Sequence, residues 1–574
     1  MGTFRQKLLG PPRYRDVFVL ALFTILITWH PYFADGKINI FEVGLYLPGI
    51  QSVLSGEIPF RDFFHLRGPF ELYMPAFLMK LFGAHIKVLY AYFYFGTVLG
   101  LILCILIAKE LLKTRYILYL MAPVLIGRTF PRVVFTYWGG MRYALGLLAL
   151  WFVVKFFQRN KPGWMFGAGV VSAAALFTSI EMGVYPFIGA LAALSVSRIL
   201  KIQEAKLIVQ GLAGYIIGFG FIAVPFVIYM AWHAALVPYL DAVWTIVTRM
   251  QKVIDPHFVS VYPGNLTEAV VAMTNPGHTN FKHMTPAYLY IFIAVYLLLR
   301  LKKKALARED LMVICLGVYG FIMYNTGFRG IWAAQFEMAL QPEKILLFFM
   351  FEVFLFAAMA KRRELLPALK AMPSLKWYSR QKWALYVCNV FMFVLLGSSI
   401  GYPLQRFNHR FFAFKFVRDK IAGKDTARLR PLAKEEARTA DLKRASGILL
   451  PAVQAQELEV VAAFAAGHIK EDEVMFTYPE LGTYNFFAGR RFFGKFPIST
   501  FTWFNDRWHA EYMAELKSSR PKFAVVQKEI SQNWKDVYLA LEPNREKYKD
   551  VMDFIQSEYS LFAETPLSYI YALK

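Results

Sequence analysis

Acidic residues are scarce in this chain: 40 Asp and Glu stand against 64 Lys and Arg, a net charge of +24. An excess of that size suits a nucleic-acid binder, but the cations cluster in short loops between apolar runs, and that distribution argues against it. Cysteine is scarcer still. Its three copies, Cys104, Cys315 and Cys388, all fall within apolar runs, so they read as free buried thiols and say little about redox compartment. The sequence has no GxxxxGK[ST] phosphate loop, no GxGxxG after a strand and no HExxH, so nothing points to a nucleotide fold or a zinc hydrolase. Internal repeats and low-complexity tracts are absent too.

What is abundant is apolar surface. The 574 residues are 57% hydrophobic and 17% aromatic, ordinary values for a polytopic membrane protein. Windows long enough to span a bilayer lie near 17–33, 86–108, 115–130, 141–158, 164–180, 183–199, 207–235, 285–300, 310–326, 343–360 and 383–401, about eleven transmembrane helices. The basic N-terminus runs into the first of them without a small-x-small cleavage site, which reads as an uncleaved signal anchor. With the N-terminus cytoplasmic, the inner segments 1–16, 109–114, 159–163, 200–206, 301–309 and 361–382 carry the Lys/Arg-rich stretches, as the positive-inside rule expects. An odd count of spans then places the tail outside.

Two domains are expected. Residues 1–401 form the transmembrane part, with a large first outer loop at 34–85. Residues 402–574 form an extracytoplasmic soluble α/β domain, in which short apolar runs at 473–478, 522–527 and 569–573 alternate with helical patterns at 455–467 and 507–519.

The first loop holds the residues best suited to chemistry. Glu42 lies just beyond the first span, where a carboxylate can take a proton from an acceptor hydroxyl; Phe41 and Tyr46 beside it would raise its proton affinity by burial. The plainer reading of Glu42 is an interfacial carboxylate paired with Lys or Arg. Asp62 is a second acid, a ligand with His65 for a divalent cation, or a local cap or salt bridge to Arg61 or Arg67. Glu181, between two windows, is either functional or half of a structural ion pair. Arg67, Arg142 and Arg329 belong to a set of outer-side arginines that the positive-inside rule disfavours; a guanidinium fork suits a lipid phosphate, and anionic headgroups are the alternative. Arg142 and Arg329 are preferred as phosphate ligands because both sit among aromatics and glycines at span ends. Trp138 is placed for an interfacial belt or for stacking on a sugar.

The order of residues in this loop resembles the first outer loop of GT-C glycosyltransferases of the family 39 and aminoarabinose-transferase type. Glu42, Gly44 and Tyr46 match its opening, with Val43 in place of a second acid. Leu54-Ser55-Gly56, Pro59-Phe60-Arg61-Asp62-Phe63, Gly68-Pro69 and Leu81-Phe82-Gly83 follow in order. The resemblance implies a catalytic carboxylate at Glu42, a polyprenyl-phosphate-linked sugar donor, an extracytoplasmic glycan, lipid or protein acceptor, and inverting transfer outside the cell membrane. No cofactor beyond a divalent cation is called for. Two other functions fit the composition: a transporter or flippase of lipid-linked sugars, and a glycan polymerase or ligase.

Overall fold

The computed structural model describes residues 10–29, 32–129, 140–254, 281–329, 338–359, 412–425 and 436–574, with isolated positions at 267, 270–272, 275, 390, 396 and 397. They group into two compact units. One contains 1–30, 93–223 and 260–417; the other contains 31–92, 224–259 and 418–574. Chain order and spatial grouping therefore differ, because the first loop and residues 224–259 fall with the tail.

The first unit is helical. Helices lie over every apolar window except 383–401, which is almost wholly outside the described residues. Ile86–Leu111, Met141–Arg159, Ile180–Ile199 and Ala205–Trp232 are long and apolar enough to cross a membrane. Between the helices Gly163–Thr178 and Ile180–Ile199 a single residue, Ser179, is extended at φ −160° and ψ 119°. Glycines let neighbouring helices touch backbone to backbone. A Cβ on Gly169 would lie 2.1 Å from the Tyr215 carbonyl oxygen, and one on Gly218 would lie 2.1 Å from that of Phe166. Lipid gives apolar helices no hydrophobic reason to associate, so such close approach supplies the packing energy.

Several charged groups of the helical unit pair across its helices. Lys155 donates to Glu110 at 3.1 Å and to the Tyr14 hydroxyl at 3.0 Å, and Arg115 pairs with Asp16 at 3.0 Å. Lys113 pairs with Glu309, and Glu352 accepts from the backbone N–H of Lys113 and Thr114 at 2.8 Å each. The Asn160 and Gln203 amides meet at 2.7 Å. These contacts join segments that are far apart in sequence. Cys104 and Cys315 are buried free thiols.

The second unit is built on strands. β1 (Ala437–Thr439) and β2 (Leu449–Pro451) form an antiparallel pair. β3 (Val474–Tyr478), β4 (Arg491–Phe492), β5 (Phe523–Gln527), β6 (Tyr559–Glu564) and β7 (Ser568–Leu573) form a sheet of order β4-β3-β5-β7-β6. β3 runs parallel to both β4 and β5, and β7 runs antiparallel to β5 and β6. Helices Ala452–His468, Asp506–Ser519 and Glu542–Glu558 accompany it. The Ala524, Val525 and Val526 side chains of β5 are buried, as expected of a central strand.

The first loop is part of this unit. Phe64 lies among Phe496, Phe501 and Trp508 with ring centroids 5.1–5.3 Å apart, and its N–H donates to the Lys495 carbonyl at 2.7 Å. Gln454 exchanges two hydrogen bonds with the Ile38 backbone.

Candidate functional site

Glu42 sits in a five-residue helix, Ile40–Gly44, whose N-cap Asn39 accepts a hydrogen bond from the Glu42 N–H at 3.2 Å. Gly44 allows the helix to press on the tail: a Cβ there would meet the Thr483 hydroxyl at 3.1 Å, and that hydroxyl donates to the Ile40 carbonyl at 2.5 Å. The Glu42 side chain is buried as a result.

The residue that faces it electrostatically comes from the tail. Glu480 follows β3 and is only 3% exposed, and its Oε1 has no protein hydrogen-bond partner. Burial, and then the charge of Glu42, push the Glu480 carboxyl up to about 8. Tyr538 stands by both acids, and its hydroxyl is pushed well above its ordinary value by burial and by both carboxylates. Its ring lies 6.2 Å from Phe41, 5.5 Å from Trp534 and 6.4 Å from Trp503. Phe41, Trp503, Trp534 and Tyr538 thus form an aromatic cluster beside the first-loop helix.

The other first-loop residues are placed nearby in sequence but differ in state. Tyr46 is buried and packs edge-on to His65 at 5.8 Å. His65 is 2% exposed; burial, then the charge of Arg67, drive its proton affinity down to about 3, so it is a neutral imidazole. Arg67 is half-buried. Asp62 is engaged locally. Its oxygens accept from Arg61 at 2.7 Å twice and from the Ile58 N–H at 2.7 Å, closing a turn, and its carboxyl is held below its ordinary value chiefly by Arg61. This is the salt-bridge arrangement that the sequence offered as one reading. Among the described residues, no three of His, Cys, Asp or Glu gather as a metal site.

In the helical unit the structure joins two residues that the sequence had named for separate reasons. Arg142, buried in the first turn of Met141–Arg159, pairs with Glu181 at 3.4 Å. It also donates to the Tyr143 hydroxyl at 2.8 Å. Arg329 ends the helix Arg308–Arg329, with its side chain outside the described part, and Trp138 lies outside the described residues altogether.

Sequence reasoning missed Glu480 as a site residue. A faint signal existed: it follows the C-terminal end of a strand with parallel neighbours, the usual place for functional residues in α/β sheets.

No protein-family model matches the chain, and no curated protein matches it. Solved structures do. ArnT from Cupriavidus metallidurans bound to undecaprenyl phosphate is 11% identical over 97% of both chains, with a TM-score of 0.52. The same protein in the apo state gives 0.51 at 11% identity, again over 97% of each chain. The Archaeoglobus fulgidus oligosaccharyltransferase tethered with an acceptor peptide gives 0.46 at 12% identity over 98% of this chain and 74% of that one, a likeness too weak to argue from. The chain therefore shares the fold of ArnT along nearly its whole length.

Proposed function

We propose that the chain is a membrane glycosyltransferase that moves a sugar from a polyprenyl-phosphate donor to an extracytoplasmic acceptor, with Glu42 as general base. The observation that carries this reading is the chain-long likeness to ArnT, a protein solved with undecaprenyl phosphate bound. The buried first-loop acid is consistent with it.

The reaction needs few parts. An acceptor hydroxyl attacks the anomeric carbon, its proton passes to the Glu42 carboxylate, and the carbon–oxygen bond to phosphate breaks with its electron pair leaving on the phosphate. One such displacement inverts the anomeric centre. The leaving phosphate needs cations, and Arg142 and Arg329 are the residues we assign to it. Asp62 shapes the loop turn, and Tyr46, His65 and Arg67 support the acceptor side. A glycan, a lipid or a protein can serve as acceptor. The first loop and the tail face the outside, following the charge of the inner segments.

The test is transfer of radiolabelled sugar from a panel of undecaprenyl-phosphate sugars by purified protein in lipid, alongside Glu42→Gln. Transfer by the parent and loss in the variant support the reading. Labelled lipid moved across the bilayer unchanged would replace it with a transporter.

A further inference from the structure

Trp232 ends an apolar helix, Ala205–Trp232, that is long enough to cross a membrane. Its last residues, from Val224 on, belong to the second unit. The outer face stays apolar to the end: Val224, Ile228 and Trp232 are 57–85% exposed. The chain then turns sharply. Ala234 takes a left-handed conformation at φ 55°, its N–H donates to the Ala231 carbonyl at 3.1 Å, and the Ala235 N–H donates to the Met230 carbonyl at 2.8 Å. This is a Schellman turn, which satisfies carbonyls that a helix end would leave open. It leaves no linker, because Ala235 is already the N-cap of the next helix, Leu236–Val253. The second helix therefore starts at the depth where the first one ends.

Helix Leu236–Val253 has two unlike faces. Tyr239, Ala242 and Thr245 are buried, and the helix is fixed on that side. Tyr239 meets the Phe60 ring edge-on at 4.9 Å, the Val253 carbonyl accepts from Asn544 at 2.8 Å, and Asp241 pairs with Arg507. On the outer face Val237, Leu240, Trp244 and Val247 recur at three and four residues and are 55–76% exposed. Arg249 and Lys252 follow toward the end of the helix, both exposed. Burying an apolar side chain of this size is worth about 1.5–3 kcal/mol, so a row of four marks a surface that something covers. A second protein fits it badly. From Val237 to Val247 the row is about 15 Å long at 1.5 Å per residue, on a helix about 10 Å wide. A patch of about 150 Å² is far below the roughly 800 Å² per partner of a stable protein interface. A lipid leaflet has no such minimum, and the helix that ends at Trp232 is already suited to one.

We propose that helix Leu236–Val253 is an interfacial anchor that lies in the plane of the lipid leaflet where Ala205–Trp232 ends. Val237, Leu240, Trp244 and Val247 enter the acyl boundary, with the Trp244 indole at headgroup level, and Arg249 and Lys252 reach the lipid phosphates. An apolar row with cations beside it is the pattern of helices that lie on a membrane rather than cross it. Because the inner face is fixed to Phe60, Arg507 and Asn544, the anchor holds the second unit at a set height on the leaflet. A second helix of this kind, Phe70–Phe82, packs on the end of the span through Phe70 and Phe226, with ring centroids 4.8 Å apart, and exposes Met74, Phe77 and Leu81. Such an anchor serves any activity of the chain and stands apart from the transferase reading.

The experiment uses full-length protein in phospholipid nanodiscs, with a nitroxide spin label on one introduced cysteine at a time. Cys104 and Cys315 are buried, and Cys388→Ser removes the third thiol. Labels go on Leu240→Cys and Val247→Cys in the row, both exposed positions whose replacement disturbs no buried contact. Glu471→Cys, exposed in the turn before β3, calibrates the signal of a label in water. Power saturation compares collisions with oxygen, which concentrates among acyl chains, against those with a nickel chelate, which stays in water. Oxygen should exceed nickel several-fold at both 240 and 247, and the order should reverse at 471. Nickel collisions equal to or above those of oxygen at 240 or 247 put the row in water and overturn the proposal. Few collisions with either reagent at 240 or 247 mean that protein covers the row, a second copy or another chain, and overturn it equally. No sugar transfer is measured, so failure of the transferase reading leaves the result standing.

Discussion

Gln454 and Ile38 hold each other by two hydrogen bonds, each 2.9 Å: the Ile38 N–H donates to the Gln454 side-chain oxygen, and the Gln454 amide donates back to the Ile38 carbonyl. Both residues are buried. Gln454→Ala strands two backbone groups, at about 1–3 kcal/mol for each one left unsatisfied. Thermal unfolding should drop by several degrees, and proteolysis after Lys37 should speed up. An unchanged melting curve would mean the clip contributes little.

Glu42→Gln should lower transfer by about 10²–10⁴, the usual worth of a general base. Asp62→Asn should cost far less, because an exposed pair with Arg61 is worth about 0–1 kcal/mol. Single-turnover transfer from undecaprenyl-phosphate sugars separates the two. Equal losses would return Asp62 to the chemistry.

Arg142→Ala should weaken binding of undecaprenyl phosphate by about tenfold or more, since a hydrogen bond to a charged group is worth about 1.5–3 kcal/mol. Lys at this position cannot keep both the Tyr143 hydroxyl and Glu181, so Arg142→Lys should rescue only in part. Binding of a fluorescent lipid phosphate reads this directly. Unaltered affinity in Arg142→Ala would leave the Glu181 ion pair as its whole role.

Gly482→Ala should destabilise the second unit by about 1–3 kcal/mol, the cost of overpacking, because the new methyl collides with the Pro497 carbonyl. Thermal unfolding tests it: an unchanged melting temperature would show that the Pro497 carbonyl gives way at little cost.

His65 gives the acid side of the stability curve. Its affinity for a proton falls from 6.5 in the free chain to about 3 in the fold, so the unfolded chain binds more protons between those values. The stability this contributes is fully present above pH 6.5 and is lost as pH falls toward 3. In His65→Gln the difference in melting temperature between pH 7 and pH 5 should shrink. An identical difference would show that other groups carry the acid sensitivity.

The helices were the legible part. A run such as 86–108 announces itself because a bilayer-length apolar stretch needs no partner to be recognised, and the helix found there, Ile86–Leu111, adds only a turn at its polar end. The split near Ser179 was legible for the same reason, since polar residues interrupt an apolar run. Glu42 could be named because it lies just beyond the first apolar span. Glu480 could not, because Pro-Glu after a strand in a charged tail has the appearance of a solvated turn, and only the first loop folding over it makes it a buried acid. Arg142 and Glu181 were each visible, but nothing in a linear pattern says that two residues on different helices share a contact.

The grouping of the first loop with the tail has a consequence for biosynthesis. Residues 31–92 leave the ribosome well before Gln454 and Thr483, which hold them. At about 5–20 residues per second, the interval is on the order of 20–80 seconds. Throughout it, Phe64 and its apolar neighbours wait without their partners, so a newborn chain needs a chaperone or the lipid surface to shelter them. A message cut short near its end yields a membrane bundle whose first loop never closes.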